Sequence, residues 1–296
     1  MGSNEDTIQI YKGIGLKKGS QLSTEPKQFV FDLDETIGSF SDLYLLFQCI
    51  ESLQTTYNFT LYDNPSDLVY ELLNLYPEFF RYGIEIVLAY LHKKKSDNSC
   101  SGVHLYTNNS CLPDSWAFYI TRFIEEKWEL PGLFDTVVRA FKIGGKIVEK
   151  TRTTTEKTHN DLLRCLLLPQ NTEFCYIDND RYPKMEHRYV YYLQPRPYHH
   201  YMNRSDILDR FFKSELCDRI FTMTNQDLSP IMIKWYTDRE YSMTTNNREL
   251  SELDVDLHVS KKLLKYIRRF FHMSIRRPHT RHIRKVGNAV TMRKRS

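Results

Sequence analysis

The sequence predicts an α/β protein organised around a parallel sheet. Two observations carry this. Short, wholly apolar runs alternate along the chain with longer segments of helical periodicity, the pattern of strands joined by crossover helices. Three of those runs then end in polar clusters: Asp32-Leu-Asp34-Glu-Thr36, Thr107-Asn108-Asn109-Ser110 and Asp178-Asn179-Asp180. The carboxyl ends of parallel strands are where such sheets bind ligands.

The elements follow in order. Residues 1–27 are polar, carry Gly13, Gly15, Gly19 and Pro26, and read as a flexible lead-in. Gln28 to Asp32 is a short apolar run of the kind buried in a parallel sheet. From Ser41 the spacing becomes helical through Leu45, Leu46, Cys49, Ile50 and Leu53, with Ser41 or Asp42 as the cap. A second helix runs from Pro65 to Tyr76, proline first, and a third from Glu78 to Lys95, with Ile84, Val87, Leu88 and Leu91 on one face.

Gly102 to Thr107 is the second strand, and Pro113 to Trp128 is helical. Phe134 to Val148 is β-rich, with Gly144-Gly145 as a hairpin turn. Thr158 to Leu168 is a helix, Phe174 to Asp178 a strand, Val190 to Leu193 a further strand, and Ser205 to Phe212 the start of more helix. The organisation expected is a core over 28–200 with a helical insert at about 41–95, a helical extension over 201–260, and a basic end over 261–296.

Composition bounds the class. The 296 residues are 41% apolar and 14% aromatic, enough for a core and too much for a disordered chain. The net charge of +4 is a cancellation: positions 261–296 hold 13 Lys/Arg and no acid, so the rest of the chain carries −9. The six cysteines form no C-x-x-C pair, which excludes a zinc ribbon or thioredoxin-like site. The first residues lack an apolar core of a signal peptide, and no apolar run reaches the ~18–20 residues of a membrane span. The expectation is a reduced, intracellular protein of the cytoplasm or nucleus.

The strand ends carry the chemistry. Asp32 and Asp34, two apart on extended backbone, project to one side. Crowded carboxylates repel, so one takes up a proton unless a cation separates them. Either one attacks while the other moves a proton, or both hold Mg²⁺. Thr107 can hydrogen-bond a phosphate oxygen, aided by the backbone N–H groups of Asn108 and beyond. Asp178 can complete an acidic pocket with Asp32.

Phe29-Val-Phe-Asp-Leu-Asp-Glu-Thr-Ile37 resembles the first motif of the haloacid dehalogenase (HAD) superfamily, in the form of its FCP/SCP-type, or NLI-interacting-factor-like, C-terminal-domain phosphatases. Tyr106-Thr-Asn-Asn-Ser110 resembles the second motif, Asp178-Asn179 followed by Pro183 the fourth, and Arg81-Tyr-Gly-Ile84 the segment before the second. The likeness spans residues 27–200 and is similar to divergent versions in large DNA viruses; for a viral chain the location implied is the cytoplasm or nucleus of an infected host cell.

The resemblance implies a Rossmann-like parallel sheet of the HAD type, with the helical insert between the first two motifs and a helical C-terminal extension. It implies Asp32 as the nucleophile that becomes aspartyl-phosphate and Asp34 as acid, then base. Thr36 supports the turn and, with Thr107, Asn108 and Arg152, is placed at the substrate. Asp178, Asp32 and Asp34 (by its carbonyl) hold Mg²⁺, and Asn179 orients that shell. Among Lys146, Lys150 and Lys157, the third-motif lysine is assigned to Lys157, which opens the helix leading to the Asp178 strand. The activity implied is dephosphorylation of protein phosphoserine or phosphothreonine, with the tail of RNA polymerase II as a candidate target. The alternatives are a nucleotide or nucleic-acid phosphatase, and a non-catalytic binding module.

The basic end reads in two parts. Leu264, Ile267, Phe271 and Ile275 fall at helical spacing among Lys261, Lys262, Lys265, Arg268, Arg269 and Arg276, a basic amphipathic helix. Beyond Arg276 the apolar pattern fades and a disordered tail is expected. Its charge fits a polyanion such as nucleic acid, anionic lipid, a nuclear importer or the acidic body of its own protein, with polyanion binding or nuclear import preferred.

Overall fold

The computed structural model describes residues 7–19, 27–113, 115–238 and 253–275. At its centre is a six-stranded sheet of order β1-β9-β8-β3-β4-β5. Its strands are β1 (Ile8–Lys12), β3 (Lys27–Phe31), β4 (Cys100–Tyr106), β5 (Thr136–Val138), β8 (Phe174–Ile177) and β9 (Val190–Pro195). Five are parallel and β1 is antiparallel at the edge. Two small ribbons pair β2 (Leu16–Lys18) with β10 (Met273–Ile275), and β6 (Lys142–Ile143) with β7 (Lys146–Ile147). The mixed α/β class with a mostly parallel sheet is as the sequence predicts.

Side-chain alternation builds the layers. Phe29 and Phe31 face the larger core and Val30 the smaller one, as the period of two in a strand requires. The larger core lies under α1 (Ser41–Tyr57), α2 (Pro65–Leu75), α3 (Ile84–Ser96) and α4 (Trp116–Lys127). The smaller core is closed by α5 (His159–Leu166) through Leu162 and Leu163. The chain leaves β3 toward β4 on one side and reaches β8 on the other. That switch in direction opens a crevice at the carboxyl end of β3.

Several expectations are corrected. Residues 8–18 are not a loose lead-in: Ile8-Gln-Ile-Tyr-Lys12 pairs with β9, and β2 pairs with β10. The third helix starts at Ile84, after a 3₁₀ turn at Pro77–Phe79, and not at Glu78. No side chain caps α1, whose N-cap is Phe40. The boundary expected at 260/261 falls inside one helix, α9 (Leu253–Phe270). Its apolar face extends farther toward the N-terminus, through Val259, and Phe270 packs edge-on to Phe29 at 5.6 Å. Beyond Phe270 the chain turns into β10, so Ile275 belongs to a strand and not to the helix. Asp256, on the same helix, is buried. The tail beyond Ile275 lies outside the described residues.

The extension α6 (Arg204–Phe212), α7 (Glu215–Thr224) and α8 (Ser229–Asp238) is tied to the insert. Tyr76 donates to the Ile207 carbonyl at 2.6 Å, Tyr236 to the Asp42 carbonyl at 2.8 Å, and Arg210 forks onto Glu78. Among the described residues no helix is long and apolar enough to cross a membrane.

Candidate active site

The cleft at the carboxyl end of β3 has a volume of about 620 Å³. Asp32, Asp34, Thr107, Asn108, Lys157 and Asn179 line it, from four separate stretches of chain. The start of α1 supplies the opposite wall with Ser41, Tyr44, Leu45 and Gln48. The helical insert therefore shapes the cleft as well as the core.

Asp32 follows β3 directly, and its N–H still pairs with the Ile177 carbonyl at 2.8 Å. The chain then turns sharply. Glu35 takes a left-handed φ of 58°, its N–H meets the Gly38 carbonyl at 2.6 Å, and Ile37 N–H meets the Leu33 carbonyl at 2.9 Å. Arg81 holds this turn from beneath. Its buried guanidinium donates to the carbonyls of Thr36 (2.7 Å), Glu35 (2.6 Å) and Arg196 (2.8 Å).

Lys157 stands just before α5, whose N-cap Thr158 accepts from Asp161 N–H. Its ammonium donates to Asp32 Oδ1 at 2.5 Å and to Asp178 Oδ2 at 2.8 Å. Tyr182 lies under it, ring centroid 5.1 Å away. Asp178 is completely buried behind the lysine and also accepts from Tyr176 Oη at 2.5 Å and from Asp180 N–H at 2.9 Å. Lys146 and Lys150 do not line the cleft, so among the three sequence candidates Lys157 is the one at the acids.

The two leading acids sit in different surroundings. Burial pushes the Asp32 carboxyl well up; Lys157 pulls it back, while Asp178 and Asp34 push it further. Burial also raises Asp34, against a hydrogen bond from Asn109 Nδ2 at 2.8 Å and the more distant Lys157 charge. Burial pulls the Lys157 ammonium down, but Asp178 and Asp32 outweigh it and hold it above its usual range. A thiol also faces the cleft: burial, with the charge of Asp34, pushes Cys111 up to about 12, so it is a poor nucleophile near neutral pH.

Two residues expected at the substrate are placed elsewhere. Thr36 is fully buried under the turn: its hydroxyl donates to Asn179 Oδ1 at 2.9 Å and accepts from Asn179 N–H at 3.0 Å, joining the ends of β3 and β8. Arg152 is also buried. It donates to the carbonyls of Thr107 (3.0 Å) and Arg139 (2.8 Å) and to Asn108 Oδ1 (2.8 Å), with its guanidinium 4.7 Å from the Tyr106 ring centroid. It braces the turn after β4 and lines no part of the cleft. Arg152 is spent on backbone because a tight turn leaves carbonyls that no helix or strand satisfies, whereas Thr36 is spent on Asn179.

Sequence reasoning missed Asn109 and Tyr182. Asn109 carries a legible signal: its N–H meets Thr107 Oγ1 at 2.9 Å and its Oδ1 accepts from Cys111 N–H at 3.0 Å, the local habits of Asn after Thr in a turn. Tyr182 has no such mark.

The donor chemistry fits a hard divalent cation. Asp32 and Asp178 bring two carboxylate oxygens onto one ammonium, so a cation already bridges them. Among the described residues no group of three or more His, Cys, Asp or Glu is arranged to hold a metal. Two carboxylates alone suit Mg²⁺, which keeps much of its water, better than a cation needing a full protein cage.

No family model matches the chain, and no curated protein matches it. Among solved structures it is similar to a HAD-superfamily hydrolase, subfamily IA, variant 1, from Geobacter sulfurreducens, at 12% identity and a TM-score of 0.31, over 55% of this chain and 84% of that one.

Proposed function

We propose that the protein is a Mg²⁺-dependent phosphomonoester hydrolase of the HAD type that works through an aspartyl-phosphate on Asp32. The observation that carries this is the pairing of two neighbouring carboxylates in unlike environments, Asp32 on the Lys157 ammonium and Asp34 on the Asn109 amide, facing one cleft. Two acids whose surroundings separate their roles are the requirement for a nucleophile beside a proton donor.

In the first step an Asp32 oxygen bonds to phosphorus, the bond to the leaving oxygen breaks, and protonated Asp34 gives that oxygen its proton. In the second, water attacks the same phosphorus and Asp34 takes a proton from it. The Asp32–phosphorus bond breaks and inorganic phosphate leaves. Lys157 and Thr107 would meet the phosphoryl oxygens, where neutralising charge accounts for most of the catalysis. Asp32, Asp178 and the Asp34 carbonyl would hold Mg²⁺, which when bound offsets the charge that acids and phosphate bring together.

The substrate favoured is a phosphoserine or phosphothreonine of a protein, in the manner of C-terminal-domain phosphatases. The D-L-D-E-T wording of residues 32–36 supports it, since nucleic-acid 3′-phosphatases of the superfamily usually carry D-L-D-G-T. The test is release of phosphate from para-nitrophenyl phosphate with Mg²⁺, abolished in Asp32→Asn. A wild-type protein without turnover overturns the reading. Comparing a phosphopeptide with a 3′-phosphorylated oligonucleotide then decides the substrate class.

A further inference from the structure

The body of the protein keeps many of its cations in pairs: Lys95 with Asp135, Lys184 with Glu156, Arg204 with Asp42, Arg210 with Glu78. The surface of α9 departs from this habit. On α9, Lys261, Lys265, Arg268 and Arg269, with His272 just beyond, recur at helical intervals opposite the buried face of Val259, Leu263, Ile267 and Phe270. Among the described residues none of these cations forms an ion pair with an acid. The stripe runs for about 12 Å of helix. It ends in a hollow of about 420 Å³ lined by Lys18, Gly19, Arg268, Arg269 and His272. Gly19 N–H meets the His272 carbonyl at 2.7 Å, which fixes β2 against the end of α9.

We propose that this stripe and hollow form a binding surface for single-stranded nucleic acid. Charge complementarity gives the phosphate backbone as ligand, and the rings interleaved with the charges select among polyanions. The Arg268 guanidinium lies 5.1 Å from the Tyr90 ring centroid, and that of Arg269 lies 5.2 Å from Tyr266. Tyr90 and Tyr266 are partly buried at the margin of the stripe, and the guanidinium planes stacked over them offer flat partners for bases, which carboxylates alone do not use. A membrane surface is disfavoured because the apolar face of α9 is already spent on its own sheet, leaving nothing to insert. From Lys261 to Ser296 the sequence has no acid, so the charge continues in the same sense beyond the stripe.

The surface is separate from the catalytic cleft. Lys27, at the start of β3, donates to the Met273 carbonyl at 2.6 Å, whereas Asp32 follows the end of β3. The length of a strand, about 17 Å, lies between them. Binding here does not depend on the phosphatase reading.

The experiment is fluorescence anisotropy of the full chain with a labelled oligouridylate of about 12 nucleotides, titrated at several salt concentrations. The triple variant K18E/R268E/R269E is expected to bind at least about tenfold more weakly, and its log affinity to fall with log salt less steeply by about two. Tyr266→Ala is expected to weaken binding about fivefold or more, with para-nitrophenyl phosphate turnover unchanged in every variant. Unchanged affinity and salt slope in the triple variant overturn the proposal. So does Tyr266→Ala binding as wild type while polyglutamate or phosphatidylserine vesicles compete as well as the oligonucleotide, which would mark a surface that reads charge alone.

Discussion

The Lys157 ammonium lies 2.5 Å from Asp32 Oδ1, and the same nitrogen reaches Asp178. One buried cation thus holds together two carboxylates that would otherwise repel at the base of the cleft. Removing one partner of a buried ionic cluster leaves the others uncompensated, at a cost of about 3–5 kcal/mol. Lys157→Met is therefore expected to unfold at markedly lower urea near neutral pH and to lose turnover. The sign of the pH effect follows from Asp32. Its folded pKa is raised above the unfolded value, so the folded state binds the proton more tightly, and lowering the pH through that raised value stabilises the fold. Without Lys157 the pKa rises further. The urea deficit of Lys157→Met should thus shrink as the pH falls from neutral toward 5, and a deficit constant over that range would contradict the account.

Asn109 offers a kinetic test of the division between the acids. Its amide favours the ionised form of Asp34, against the burial that raises it. In Asn109→Ala the Asp34 pKa should climb further. In the proposed mechanism Asp34 is protonated when it acts as the acid, so the basic limb of kcat/KM should move to higher pH. The acidic limb, governed by ionisation of Asp32, should stay. A basic limb that stays or moves to lower pH would remove Asp34 from the acid's role.

Arg152 acts at one remove from the chemistry. Its guanidinium holds the Thr107 carbonyl and Asn108 Oδ1, and so fixes the turn that presents Thr107 to the cleft. Arg152→Lys keeps the charge but cannot span these acceptors with one head group. Hydrogen bonds from a charged group contribute about 1.5–3 kcal/mol each, so loss of the fork should lower stability by a few kcal/mol in urea unfolding. It should also reduce kcat more than KM for a small aryl phosphate. A variant as stable as wild type would show that the turn needs no brace.

What could be read from the chain depended on how local each signal is. Asp32 and Asp34 are legible because the apolar run Phe29-Val-Phe31 running into two acids two residues apart announces both the strand end and the shared side. Lys157 is legible through the helix start that follows it, whereas its contact with Asp178 exists only once β8 lies beside β3. The alternation in Ile8-Gln-Ile-Tyr-Lys12 is half polar because β1 is an edge strand, and its partner β9 lies far along the chain. The roles of Arg81 and Arg152 were hidden for another reason. Their partners are largely backbone groups, which leave no trace in residue identity.

Gly38 closes the turn that carries Asp34. Its carbonyl accepts from Glu35 N–H, its N–H lies 3.3 Å from the Leu33 carbonyl, and Ser39 N–H meets the Phe79 carbonyl at 2.7 Å. A Cβ built at Gly38 would fall 2.4 Å from Phe40 Cζ and 2.5 Å from the Phe79 oxygen. The Phe40 ring can swing, but the Phe79 oxygen is backbone and is held by that hydrogen bond. Gly38→Ala must therefore push the turn away from the 3₁₀ segment, with a strain of about 1–3 kcal/mol. Asp34 is carried by the displaced turn while Asp32 is anchored in the sheet, so the distance between donor and nucleophile should change. The expected result is a lower urea midpoint together with a fall in kcat of at least about tenfold, since small misplacements of reacting groups are costly. A Gly38→Ala protein that loses stability but keeps full turnover would show that the turn does not set the position of Asp34.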